Sequence, residues 1–132
     1  MKKNLKLSAN VFKLDCAEET KKITTALRHF LSARLKRRGT VIAISGGVDS
    51  SVSTALCVKA IGNKRVVGLQ MPEKHSSDET LVLSNKLTEH LGIERIHEDI
   101  TGILESVGFY KKYDDIVRAV HEWPYAQHTT TF

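Results

Sequence analysis

With 132 residues, 41% of them hydrophobic and 27% charged, the chain has the length and balance of one globular domain, with little room for a second. That composition excludes a disordered chain, and no apolar run approaches the roughly 18 residues of a membrane-spanning helix. A formal net charge of +5 suits an anionic ligand or nucleic acid without deciding between them.

The Met1-Lys2-Lys3 start is basic, but no hydrophobic stretch follows it, so no secretory signal is expected. From Asp15 to Arg38 the pattern is helical. Asp15 can cap the start with Glu18 as its capping-box partner, and Ile23, Leu27 and Leu31 share a face with Phe30 and Leu35. Gly39 supplies the stop. The basic run Lys36-Arg37-Arg38 then sits where cations complement a helix dipole, and no aromatic residue interleaves with it to stack a base. Thr40 to Ile44 is a short β-branched run that fits a strand buried on both faces.

After the loop Ser45-Gly46-Gly47-Val48-Asp49-Ser50-Ser51, a second helix is predicted over residues 50–61, with Val52, Ala55, Leu56 and Lys59 as its inner row and Gly62 as its end. Arg65 to Met71 reads as a second buried strand stopped by Pro72. A polar connection, Glu73 to Ser77, leads into a third helix with Ser76 and Glu79 as a capping-box pair. Leu83, Leu87 and Leu91 form its apolar stripe and Gly92 ends it. Glu94 to Ile100 is a third strand, and Thr101 to Val107 a short helix. Past Gly108 no regular pattern is evident. The expected organisation is one domain over 1–132: an N-terminal helix at 15–38, a core at 40–108 and an irregular tail at 109–132.

Strands alternating with helices imply an α/β fold, a parallel sheet flanked by helices with right-handed crossovers. Ligands in such sheets bind beyond the carboxyl ends of the strands, where the loops Ser45–Ser51, Pro72–Ser77 and Asp99–Thr101 fall. In the first loop, Gly46 and Gly47 tolerate positive φ and let an anion approach the backbone. The following helix offers unpaired N–H groups and the positive end of its dipole. Ser45, Ser50 and Ser51 add hydroxyls. Asp49 is out of place beside phosphate unless a divalent cation bridges them, which points to Mg²⁺. The loop has neither the GxxxxGK[ST] spacing of a Walker A motif nor GxGxxG. The alternative account is a turn with Asp49 or Ser50 as an ordinary helix cap.

At these residues the sequence resembles the N-type ATP pyrophosphatases, whose phosphate loop has the form SGGxDS, and within them the NAD synthetases. Val41 to Ser51 fits their first strand and loop. Gly68-Leu69-Gln70-Met71-Pro72 with Ser76-Ser77-Asp78-Glu79 fits the second strand and the loop after it, and His97-Glu98-Asp99-Ile100 the end of the third. The resemblance implies a Rossmann-like, adenine nucleotide alpha hydrolase-like fold. It implies that Ala43, Ile44, Ser45, Gly46, Gly47, Val48, Asp49, Ser50 and Ser51 hold ATP and its pyrophosphate, with Asp49 on Mg²⁺. The implied reaction adenylates the carboxylate of deamido-NAD⁺, releases pyrophosphate, and lets ammonia, free or glutamine-derived, displace AMP to give NAD⁺. Gln70 stands where some relatives carry arginine near the adenine.

Such enzymes have a second half with two further strands, in the sheet order 3-2-1-4-5, so an incomplete domain with an unpaired edge at Val41–Ile44 is expected. A homodimer or a complementing subunit is the implied partner; no nucleic acid or membrane is. Two other readings share the loop: a tRNA-thiolating enzyme, for which extra cysteines or an RNA-binding appendage are not visible, and a non-catalytic ATP-binding module, which the short length suits. Cys16 and Cys57 lack CxxC spacing, which argues against a zinc knuckle or redox pair and for a reducing, cytoplasmic setting. The six histidines show no HxxxH or HExxH spacing; only His75 lies in a loop beside the presumed phosphate site. Cys57 reads as core.

Overall fold

The computed structural model describes residues 13–121. Helix α1 spans Cys16–His29, and Asp15 caps it by accepting from the Ala17 and Glu18 N–H groups, each at 3.0 Å. Glu18 does not close a capping box; its carboxylate pairs with Lys22 one turn on, at 3.0 Å. The helix also ends earlier than its sequence pattern. The Ser32 hydroxyl donates to the Arg28 carbonyl at 2.8 Å, and Leu35 N–H reaches back five residues to Phe30 O. Residues Phe30–Arg34 therefore form a wider, π-type turn. Lys36 follows at φ +50°, so the chain has left the helix before Arg37 and Arg38.

Strands β1 (Thr40–Ala43), β2 (Val66–Gln70) and β3 (Glu94–His97) pair in parallel in the order β1-β2-β3. They are joined by α2 (Val48–Ile61) and α3 (Asp78–Leu91), and α4 (Thr101–Ser106) and α5 (Phe109–His121) follow β3. This is the expected α/β architecture. Helix α2 packs on β1 and β2, and α3 packs on β2 and α2, so one face of the sheet is covered. The core there joins Ile44, Val66 and Ile93 to Ile42, Cys57, Val58, Ile61, Leu87 and Leu91.

The helix rows facing this core differ from the apolar stripes. In α2, Val52 and Lys59 point outward, and the fully buried residue is Thr54, whose hydroxyl donates to the Ser50 carbonyl. In α3, Leu83 is exposed while Ser84 and Thr88 are buried, each hydroxyl satisfied by a carbonyl three residues back. In α1, Thr24 is buried and Ile23 is exposed, as are Phe30 and Leu35 in and after the π-type turn. Small hydroxyl residues that satisfy themselves within the helix let it approach closely, and a hydrophobicity pattern does not register them. Gly68 shows how close that approach is: a Cβ there would lie 2.6 Å from Ile44 Cδ1 and 3.3 Å from Thr88 Cγ2. Gly68→Ala is expected to lower unfolding stability by about 1–3 kcal/mol, read from the urea midpoint with an unchanged m-value.

Other boundaries are corrected too. Ser77 caps α3, while the Ser76 hydroxyl instead accepts from Glu73 N–H at 2.9 Å, so the Ser76/Glu79 box does not form. β3 stops at His97, because the Asp99 carboxylate is already accepting from Thr101 N–H at the start of α4. The segment read as an irregular tail is helical over Phe109–His121. Phe109, Tyr113, Ile116, Val117 and Val120 recur at helical spacing, and Lys111 pairs with Asp115 across one turn at 2.8 Å. Trp123, Tyr125 and the rest of that tail lie outside the described residues.

Among the described residues no element covers the second face of the sheet, so β1 and β2 are not buried on both sides there. Val41 is 62% exposed and Ile96 48%, with Ala43, Val67 and Leu69 in register between them. β1 is an edge strand among the described residues, as the sequence led one to expect. No helix among those residues is long and apolar enough to cross a membrane.

Candidate functional site

The Ser45–Ser51 loop leaves β1 at the carboxyl end of the sheet, where Ile44 N–H is still held by Leu69 O at 2.9 Å. Its two glycines have different tasks. Gly46 lies at φ +74°, and a Cβ on it would meet Thr80 O at 2.9 Å and Leu83 Cβ at 3.0 Å. Gly47 is extended at φ −74°, ψ 162°, caps α2 through its backbone, and leaves open space apart from Ser45 Oγ at 3.5 Å. So Gly46 lets the loop press against the first turn of α3, and Gly47 keeps the approach to the helix end clear.

The serines preorganise the loop more than they decorate it. Ser50 Oγ donates to Gly47 O at 3.0 Å, accepts from Ser45 N–H at 3.3 Å and lies 3.2 Å from Ser45 Oγ. Ser51 Oγ donates to the same Gly47 carbonyl at 2.8 Å. Helical bonding starts with Ser51 N–H to Gly47 O, which leaves the N–H groups of Val48, Asp49 and Ser50 directed out of the helix end. These three donors can cradle an anion, while the Ser45 hydroxyl, facing a Ser50 oxygen whose proton is already given to Gly47 O, donates to Ser50 Oγ. Asp49 is exposed in the same first turn. Among the described residues no group of three or more His, Cys, Asp or Glu could hold a metal. A cation at Asp49 would therefore take most of its oxygen ligands from a bound phosphate and water, the manner in which Mg²⁺ is commonly held.

Beside the cradle lies a cavity of about 220 Å³, walled by Ala43, Ile44, Leu69, Gln70, Pro72 and Thr80. Gln70 is 2% exposed, and its Nε2 donates to Ser84 Oγ at 2.7 Å and Asn85 Oδ1 at 2.9 Å. Nothing in the sequence singled out that triad, because its members are spread over β2 and α3.

The second loop borders the cavity through Pro72 and Ser76, and the third is bound to it. Glu98 N–H bonds Gln70 O and Ile100 N–H bonds Pro72 O, so both loops are tied together. Hydrogen bonds from Thr101 hold the Asp99 carboxyl below its ordinary range. Tyr110 of α5 is buried and fastens the Pro72–Ser77 loop: its hydroxyl donates to Glu73 Oε2 at 2.9 Å and accepts from Lys74 N–H at 3.3 Å. Burial raises the phenol above its usual value, so it remains a donor at neutral pH. The His75 ring packs between Tyr110 and Tyr113, at 5.3 and 5.4 Å between centroids, and does not line the cavity. Burial pushes the Cys57 thiol up, as suits a core residue. Tyr110→Phe should release the loop: a loss of about 1 kcal/mol in stability and faster amide exchange at residues 73–77, with the β1 amides unaffected.

The family model for NAD synthase matches residues 19–122. The chain belongs to the NAD synthase family. It is 43% identical over 107 residues to the NH(3)-dependent NAD(+) synthetase of Mesorhizobium japonicum, covering 81% of this chain and 34% of that protein. Among solved structures, a glutamine-dependent NAD+ synthetase of Acinetobacter baumannii, solved with ADP, superposes with a TM-score of 0.65 at 27% identity. That match covers 69% of this chain and 17% of the other. The NH3-dependent NAD synthetase of Campylobacter jejuni gives a TM-score of 0.55 at 30% identity, covering 67% and 39%. The chain thus spans about a third of the length of the curated relatives it matches, 34% of each of the first three. Residues 43–51 run from the last residue of β1 through a short turn into the first turn of α2, where Asp49 stands.

Proposed function

We propose that this chain is the ATP-handling portion of an amide-forming ligase that makes NAD⁺ from deamido-NAD⁺ and ammonia through an adenylate, with release of pyrophosphate. The observation that carries the proposal is the preorganised cradle, three outward N–H groups on a loop braced by its serines, opening beside a cavity that can take a base. ATP would lie with its adenine in the cavity and its phosphates on residues 45–51. Mg²⁺ fits at Asp49, where it neutralises charge on the phosphate oxygens. The chain's own residues then do electrostatic work: N–H donors already aimed at the place where negative charge builds up on the leaving pyrophosphate. No side chain in the loop serves as a nucleophile. A cytoplasmic setting belongs to the same proposal, because the reaction consumes ATP.

A complementing polypeptide is part of this reading. The crossovers from β1 to β2 to β3 place α2 and α3 on one face. A right-handed crossover to a strand added beyond β1 runs the other way and lays its helix on the open face, over Val41, Val67 and Ile96. That addition would bury the edge and the apolar face together.

The test is calorimetric titration of the chain with ATP and Mg²⁺, followed by assay of pyrophosphate release with deamido-NAD⁺ and ammonia. Binding without turnover is expected from the chain alone, and turnover once a polypeptide carrying the remaining family region is added. Failure to bind ATP at millimolar concentration would remove the proposal's basis. Pyrophosphate release dependent on RNA would replace it with the thiolation reading.

A further inference from the structure

The end of the molecule remote from the cradle carries a second cleft, of about 500 Å³, into which four arginines converge. Helix α2 separates the two ends, its Val48 at the loop and its Ile61 at the cleft, about 20 Å apart along the helix. Arg28 comes from the last turn of α1, Arg37 and Arg38 from the turn before β1, and Arg65 from the turn before β2. Leu31 and Ile61 give the cleft an apolar floor, and no carboxylate of the described residues lines it. The ion pairs of the described residues involve Lys22, Arg95 and Lys111, so none of these four guanidinium groups has a carboxylate partner there.

The backbone holds this like-charged group together. Arg37 N–H closes the turn onto Leu31 O at 2.9 Å, and Lys36 accepts a left-handed φ of +50° to allow it. The chain then passes so near Arg65 that a Cβ at position 39 would lie 2.8 Å from its carbonyl oxygen, which only Gly39 avoids. Lys36-Arg37-Arg38 do follow the carboxyl end of the helical run that closes at Arg34, but a helix dipole offers only about half a negative charge. The carboxyl end of α2 contributes roughly half a negative charge, far short of four positive ones.

We propose that this cleft is a binding site for a compact anion carrying two or more adjacent phosphates. Guanidinium forks match phosphate oxygens two at a time, and four of them around one cleft exceed what a single phosphate needs. No aromatic residue among the described ones lines the cleft, so the ligand is read by its phosphates and not by stacked bases. The site is separate from the ATP cradle and does not depend on it.

The probe is tripolyphosphate without Mg²⁺, titrated into the full chain and followed by thermal shift and calorimetry. The Arg37→Gln/Arg65→Gln double variant should weaken binding by roughly tenfold or more. Lys111→Gln/Lys112→Gln, with the same loss of two charges on α5, should leave it within about twofold of wild type. Arg37→Lys/Arg65→Lys keeps the charge but loses the fork, and should fall between. Circular dichroism establishes that each variant is folded. Equal weakening by both glutamine pairs would mean general charge attraction and overturn the site, as would no binding at millimolar tripolyphosphate. Arginine-dependent binding of single-stranded RNA without binding of tripolyphosphate would overturn the small-anion assignment.

Discussion

Gly46→Ala is expected to remove ATP binding from the chain, by roughly a hundredfold or more, while Gly47→Ala leaves a folded protein that still binds. The two substitutions add the same methyl group one residue apart. At Gly46 the methyl lands 2.9 Å from Thr80 O and 3.0 Å from Leu83 Cβ, on atoms of α3, which is packed against the sheet and cannot easily move. The residue is also at φ +74°, where an L side chain costs about 1–2 kcal/mol. Relief requires the loop to lift off α3, which swings the Val48, Asp49 and Ser50 N–H groups off the phosphates. At Gly47 the backbone is in an ordinary extended region and the new atom meets only Ser45 Oγ at 3.5 Å. Its cost falls on the ligand, through a narrower approach to the helix end, and a loss of about tenfold is expected. Calorimetry of both variants with ATP and Mg²⁺ checks the contrast. Equal losses would mean that the loop's fit against α3 is not what sets the cradle.

The glycine pair illustrates what the sequence could convey. Its composition and its place between a β-branched run and a helix were enough to locate the anion loop, because a strand, a turn and a helix dipole are local properties. The difference between Gly46 and Gly47 was not local: it is imposed by Thr80 and Leu83, more than 30 positions on. The same holds for the buried faces. Apolar stripes in α2 and α3 gave each helix correctly but not its rotation, because Thr54, Ser84 and Thr88 satisfy their hydroxyls within the helix and so can face the sheet. In α5 the missed signal was present as helical spacing from Phe109 to Val120, hidden among charges. Tyr110 then links that helix to Glu73 and Lys74, a partnership over more than 35 positions that no motif carries. The unpaired β1 edge, by contrast, followed from the resemblance and from counting strands.

Exchange of Gln70 for leucine is expected to collapse the preference for ATP over GTP more than it weakens ATP binding itself. The amide of Gln70 has a fixed orientation. Ser84 spends its proton on Leu81 O at 3.1 Å, so its oxygen can only accept, and the Gln70 Nε2 donates to it. The second Nε2 proton goes to Asn85 Oδ1. What Gln70 has left, in a residue lining the cavity, is its carbonyl oxygen, an acceptor with no donor recorded on it among the described residues. On the proposed placement of the base, that acceptor favours the exocyclic amine of adenine and opposes the carbonyl of guanine. Mismatching a buried acceptor costs about 1–3 kcal/mol, so wild type should prefer ATP by roughly tenfold or more. Gln70→Leu keeps comparable volume and removes the acceptor. It also strips Asn85 Oδ1 of its donor, so a stability loss of about 1–3 kcal/mol accompanies it. A purely structural role would weaken ATP and GTP alike and leave their ratio at the wild-type value. The ratio of the two dissociation constants therefore decides whether Gln70 reads the base or only braces β2 against α3.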